Sequence, residues 1–233
     1  MTATVSVSTS RPADQDTGSG LASTAILSAG FFAASLVIGV VFGGSVYSSP
    51  FVDDAKIQAF YADHGTLVQY VAFFQFAAAL TLGVFVAGLW ARLRALAPGQ
   101  ATLTNTAVIG GGMAATLLAL NAVVQWSVSH PAVNESAPVR RGLHYLYFGL
   151  GGFAHVAAIG VFVGAVSLIA LRARLLPGWF TAVSLLFAGL GVLSTFTFVT
   201  ESTTLLIPLG RFPTLLWQIA IAFMLPKVVR AAR

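Results

Sequence analysis

The sequence predicts an all-α fold, a polytopic transmembrane helix bundle of six spans, and three observations carry that prediction. Of 233 residues, 57% are hydrophobic and only 8% charged, against roughly 25% charged in an ordinary soluble domain. So few charges cannot cover a water-soluble surface of this size. The apolar residues fall in runs of about 20, the length at which a helix crosses about 30 Å of hydrocarbon, rather than in one amphipathic stripe per helix. Every acidic residue (Asp14, Asp16, Asp53, Asp54, Asp63, Glu135 and Glu201) falls in the tail or in a break between runs.

Residues 1–20, MTATVSVSTSRPADQDTGSG, are rich in Ser and Thr and lack a basic segment before the first apolar run. They read as a solvated cytoplasmic tail rather than a signal peptide. The bundle follows over residues 21–233, with spans at 21–47, 66–90, 105–128, 146–171, 179–199 and 212–229. The last is the weakest, because its uninterrupted apolar part, residues 212–226, falls short of a full crossing. It therefore thins the bilayer or begins earlier, through residues 205–209; five spans is the fallback. Between the first two spans lies DDAKIQAFYADHG, in which Asp53 or Asp54 can cap a short helix carrying Ile57, Phe60 and Tyr61 on one side. That helix is expected to be an interfacial connector first and a lid over the bundle second. Gly39-x-x-x-Gly43, Gly111-x-x-x-Ala115 and Gly160-x-x-x-Gly164 provide small surfaces on which helix backbones approach closely, more often within a monomer than between copies.

Lysine and arginine set the orientation, since they are retained on the cytoplasmic side. With the N-terminus inside, Arg11, Arg92, Arg94, Arg172, Arg174, Lys227, Arg230 and Arg233 are internal, eight of the twelve basic residues. Both termini are thus expected in the cytoplasm. Trp90 and Trp179 then lie at inner ends, Trp126 and Trp217 near outer ends, and all five tyrosines on the outer side. The chain also matches itself: SSPFV at residues 48–52 with SHPAV at 129–133, GVFV at 83–86 with 160–163, and ARLRALAPG with LRARLLPG. The common order points to a parallel repeat of two hairpins, although low-complexity membrane sequence also produces such matches by chance.

Polar residues inside the runs are the candidate site. They are His155 in the fourth span, Gln75 in the second, Asn121 and Gln125 in the third and Gln218 in the sixth, with His144 eleven residues before His155 on nearly the same helix face. An ionisable ring at membrane depth is a functional candidate by default. A neutral imidazole also donates to one partner and accepts from another, so it joins helices equally well. Joining helices is the first reading of His155; a ligand or proton site is the second. Asn121 and Gln125 are four apart on one face, and amides are costly in lipid unless paired, so all of these are expected to point into the bundle as one polar cluster in its outer half.

Several functions are excluded or weakened. There is no cysteine, hence no disulfide, thiolate metal site or thiol nucleophile. No basic cluster or nucleic-acid motif accompanies the net charge of +5, so no nucleic-acid partner is expected. Only one of the four histidines is deep, which disfavours haem, and His64, His130 and His144 near the outer surface lack a dense metal-ligand spacing. No cofactor or metal is expected. Without a membrane-embedded carboxylate, ion-coupled transport lacks its usual group, and no catalytic motif stands in the chain. Glu201 and Arg211 flank the last outer loop and are expected to pair at its rim.

The stretch AKIQAFYADHGTLVQYVAFFQFAAALTLGVFVAGLWARLR, followed downstream by RARLLPGWFTAVSLLFAGLGVLSTF and a short basic-ended helix, resembles a family of small six-helix integral membrane proteins frequent in actinobacteria and catalogued as a domain of unknown function. The resemblance implies a plasma-membrane bundle and brings no activity, cofactor or catalytic residue with it. The expected function is therefore non-enzymatic: binding a membrane protein partner or a small hydrophobic ligand in the outer half of the bundle, within the lipid bilayer. An uncoupled transporter or channel for a small solute is the alternative, and a metal or redox membrane protein ranks below it.

Overall fold

A computed structural model describes residues 19–44 and 50–226. Most of the expected N-terminal tail and the basic residues Lys227, Arg230 and Arg233 lie outside the described residues, as does Tyr47. The helices are α1 (Ser19–Gly43), α2 (Asp54–Leu96), α3 (Ala101–Val128), the short α4 (Pro131–Asn134), α5 (Ala137–Gly149), α6 (His155–Ala173), α7 (Gly178–Leu193) and α8 (Leu206–Met224). Among the described residues there is no strand. Six helical segments are long and apolar enough to cross a membrane, α5 and α6 counting as one continuous crossing over Ala137–Ala173. Large apolar side chains such as Val41, Phe42, Phe73, Leu80, Val84 and Leu216 are exposed along the flanks, a surface that only hydrocarbon solvates cheaply. This is a multi-pass membrane protein.

Successive spans run antiparallel, so one end of the bundle gathers Asp54, Asp63, Glu135 and Glu201 and the other Arg92, Arg94, Arg172 and Arg174; these are called the acidic and the basic end below. Contacts at the basic end tie both limits of the described chain to it. A Cβ built on Gly88 would lie 3.4 Å from Leu21, and Arg92 donates from Nη2 to the Leu225 and Pro226 carbonyls at 2.8 and 3.0 Å. Those carbonyls follow the end of α8, where unsatisfied acceptors and the helix dipole both favour a cation.

Helix boundaries depart from the six spans read from the sequence in three places. The connector and the second span form one helix of 43 residues. Asp53 caps it, its Oδ1 accepting from Ala55 N at 3.2 Å, and the backbone leaves helical geometry only at His64 (φ −124°, ψ 18°). The break falls next to Gly65, where a Cβ would stand 2.9 Å from the Ser129 carbonyl, so the acidic-end segment leans across the end of α3. Its buried Ile57 and Tyr61 close a small core with Val68 and Val128. The fourth crossing starts at Ala137 rather than near residue 146. Its α5 and α6 are joined by a π-type turn at Leu150–Ala154 with non-helical Gly152 (φ −80°, ψ −109°). The sixth crossing begins before residue 212, at Glu201 with α8 from Leu206, as the alternative start through residues 205–209 has it. That shift carries Trp217 from the expected interfacial level into the main core, 5% exposed and edge-on to Phe162 with ring centroids 5.6 Å apart.

The core sits between α2, α3, α6 and α8, where Leu82, Phe85, Leu89, Phe162, Val166 and Ile221 pack together. Glycine provides the closest approaches. A Cβ on Gly160 would stand 2.7 Å from the Ala188 carbonyl oxygen and 2.8 Å from Val192 N, and one on Gly191 would stand 2.9 Å from the Val156 carbonyl oxygen. Small residues thus seam α6 to α7 at backbone contact within one chain, where dispersion between close helices replaces a hydrophobic drive that lipid cannot supply.

Candidate functional site

Buried polar groups occupy two levels, and the first is a ladder descending from the acidic end. Arg140 on α5, 1% exposed, donates to Asp54 Oδ2 at the start of α2 and to the Asn134 carbonyl in α4. One turn deeper, His144 Nδ1 and the Tyr61 hydroxyl are 3.1 Å apart and hydrogen-bonded. The His144 ring lies 5.8 Å from that of Tyr147, whose hydroxyl accepts from Gln125 Nε2 at 3.4 Å. Deeper still, Asn121 Nδ2 donates to Gln75 Oε1 at 2.7 Å. The helical period explains the file: Arg140, His144, Tyr147 and Gly151 recur at i, i+4, i+7 and i+11 on one face, and the glycine admits the flat Asn121 carboxamide, which a Cβ there would overlap.

The second level gathers around the π-type turn. The break at Gly152 changes the hydrogen-bond pattern of the turn, the His155 N–H reaching the Gly152 and Leu150 carbonyls, and side chains from later helices meet carbonyls there. Arg211 Nη2 donates to the Gly152 carbonyl at 3.3 Å, and Ser194 Oγ, bonded to the Gly191 carbonyl of α7 at 2.6 Å, lies 3.3 Å from that of Phe153. His155, 5% exposed, donates from Nδ1 to the Ala114 carbonyl of α3 at 2.9 Å.

The sequence-derived cluster is therefore divided. Gln75, Asn121, Gln125 and His144 belong to the ladder. His155 lies two turns further along α3, at Ala114 rather than Asn121, and bonds a backbone carbonyl. Gln218 is elsewhere, its Nε2 reaching the Ala25 carbonyl across α1 and α8 at 3.5 Å. His144 is fully buried, not near the surface. Arg211 is not a rim partner of Glu201: it is 5% exposed inside α8, with its guanidinium 5.5 Å from the Phe32 ring centroid, while Glu201 is exposed. The earlier start of the sixth crossing accounts for this, because it draws residue 211 below the loop. Arg140 and Tyr61, both central to the ladder, fall between the spans read from the sequence; the i, i+4, i+7 spacing from Arg140 through Tyr147 is the signal that extends the fourth helix back to Arg140, while Tyr61 lies on the connector helix that runs into α2. Among the described residues no group of three His, Asp or Glu gathers as a metal site. His64 and His130 instead bond the carbonyls of Phe60 and Trp126 in their own helices.

Two concavities flank the ladder on the α2–α3 side. A polar pocket of about 520 Å³ lies beside the α2 break, with Gln58, Tyr61, Asp63, His64, Asn134 and Glu135 in its lining. A groove of about 750 Å³ runs along the lipid-facing flank, walled by Tyr70, Phe73, Phe76, Val123 and Trp126. Tyr61 connects the pocket to the ladder, because its ring lines the one while its hydroxyl joins the other. The ladder can hold helices together; the pocket and groove can hold a ligand. Comparison with protein-family models, curated proteins and solved structures found no match.

Proposed function

We propose that the protein is a non-enzymatic plasma-membrane protein that binds a hydrophobic, acyl-chain ligand in the half of the bundle at its acidic end. The observation that carries this reading is the α2–α3 groove. Its volume, about 750 Å³, lies within the roughly 300–1,000 Å³ of small-molecule sites, and its walls are almost wholly apolar and open to the bilayer. Phe73 and Tyr70 are 65% and 59% exposed there, rings that gain dispersion contacts from a chain laid against them. The buried polar side chains support a binding role over catalysis, because they bond one another or backbone carbonyls across helices rather than converge on an open cavity. Arg92, Arg94, Arg172 and Arg174 at the basic end support a cytoplasmic basic end and an outward acidic end.

The test is lipid extraction and quantification from the detergent-purified chain. Val123, 48% exposed on the groove wall, is replaced by Trp to fill the groove without disturbing the core. The reading expects bound lipid in the wild type and loss of most of it in Val123→Trp. Equal lipid content in both proteins, or none in either, would overturn it.

A further inference from the structure

The polar pocket and the apolar groove are neighbours. Gln69 lines both, one turn beyond the His64 break, with the pocket on its acidic-end side and the groove descending from it. A polar recess opening into an apolar channel at the membrane boundary has the shape of an amphiphile. Chemistry of the recess then selects the head. Asp63 and Glu135 both line it, both are exposed, and no lysine or arginine is among its lining residues. Neither carboxylate has an ion-pair partner within 4 Å among the described residues, in contrast to Asp54 with Arg140.

Further lining residues offer acceptors. Asn134, 6% exposed, donates its Nδ2 to the Gln58 carbonyl at 3.2 Å, and its buried Oδ1 has no donor among the described residues. Thr66 and Gln58, also in the lining, each carry a side-chain oxygen that can accept. Two carboxylates and a buried amide oxygen in one lining, with no basic residue beside them, ask for a positive group with several N–H donors. A primary ammonium meets that demand with three. A quaternary ammonium has none, and depends on an aromatic cage; of the two carbocyclic rings lining the pocket Phe42 is exposed and Tyr61 is buried with its hydroxyl bonded to His144, so a single open aromatic face stands there rather than a cage.

We infer that the pocket and groove together form a site for a membrane phospholipid with a primary-amine headgroup, the ammonium in the pocket that Asp63, Glu135 and Asn134 line and an acyl chain in the groove. This rests on the acyl-chain reading above and names its ligand class. Gln69, at the junction, has an amide N–H pair to offer the phosphate between head and tail.

The experiment uses the full chain in detergent or nanodiscs and native mass spectrometry, with phosphatidylethanolamine and phosphatidylcholine of identical acyl chains. The proposal expects the ethanolamine lipid to be retained about five- to tenfold over the choline lipid, the scale of one or two partly exposed charge-assisted hydrogen bonds. The exposed pair Asp63→Asn and Glu135→Gln should bring that ratio close to one by lowering retention of the ethanolamine lipid to the level of the choline lipid, whose own retention stays as in the wild type. Val123→Trp should lower both lipids together. Lipid retention without headgroup preference, or a preference that survives the two neutral variants, overturns this proposal and leaves the acyl-chain reading standing. Loss of retention for every lipid in the wild type overturns both. Free ethanolamine displacing the lipid's preference at equal concentration would assign the pocket to a soluble amine and overturn the lipid assignment.

Discussion

Asn121 on α3 and Gln75 on α2 are joined by a 2.7 Å hydrogen bond at the deepest rung of the polar ladder, both fully buried. The pair crosses the interface between the two helices that also wall the apolar groove. Its amides are not saturated: Gln75 Nε2 and Asn121 Oδ1 have no partner among the described residues. Joining helices is thus bought with residual desolvation.

This asymmetry makes a double-mutant prediction. Asn121→Ala and Gln75→Met each leave one buried amide stranded without adding bulk against Gly151, so each alone should cost at least about 1–2 kcal/mol. Together they should cost less than their sum, with coupling near the roughly 0.6 kcal/mol average, and up to about 1.7, found for hydrogen bonds between membrane helices. Reversible unfolding in mixed micelles measures all four corners. Strict additivity would show that the bond contributes nothing beyond its separate groups.

Arg140 and Asp54 give a ranked pair of expectations. Removing Arg140 abandons both Asp54 and the Asn134 carbonyl, whereas Asp54→Asn keeps a weaker acceptor in place. Because the Asp54 side chain is 38% exposed, the usual penalty for breaking a buried pair is discounted for screening. Arg140→Ala should cost about 2 kcal/mol and Asp54→Asn about 1. Chemical denaturation of the two variants side by side checks the order; a larger loss for Asp54→Asn would place the weight on the carboxylate instead.

Gly191 and Gly189 separate packing from propensity on one helix. A Cβ at Gly191 meets backbone of α6, 2.9 Å from the Val156 carbonyl oxygen and 3.1 Å from Gly160 Cα, while one at Gly189 meets nothing within 4 Å. Gly191→Ala should therefore force α7 away from α6 and destabilise by about 1–3 kcal/mol. Gly189→Ala should be neutral or stabilise by up to about 1 kcal/mol through helix propensity. Thermal inactivation in detergent distinguishes them, and equal behaviour would contradict the close α6–α7 seam.

His155 is expected to behave as a helix joint. Its one hydrogen bond goes to the Ala114 carbonyl, away from both pocket and groove. His155→Ala should lower stability by roughly 1 kcal/mol and leave lipid retention and headgroup preference as in the wild type. A retention assay that collapses in this variant, with the fold intact by circular dichroism, would return the residue to the ligand site.

The sequence by itself determined the class of molecule and the number of crossings, because composition and run length measure how much of a chain water can tolerate. It also singled out Gln75, Asn121 and Gln125, since an amide within an apolar run must find a partner and partners lie inside the bundle. Run length could not place helix ends. Polar residues such as Arg140 and Arg211 interrupt hydropathy without interrupting a helix, so the fourth and sixth crossings were cut short and their buried arginines assigned to loops. Only the tertiary structure decided which polar groups meet. Depth along each helix depends on the breaks at His64 and Gly152, and those depend on what presses against the backbone there: the Ser129 carbonyl beside Gly65, and Arg211 and Ser194 beside the carbonyls of the turn. A contact made across helices leaves no period in the sequence, which is why the pocket beside α2 became visible only when the helices were packed together.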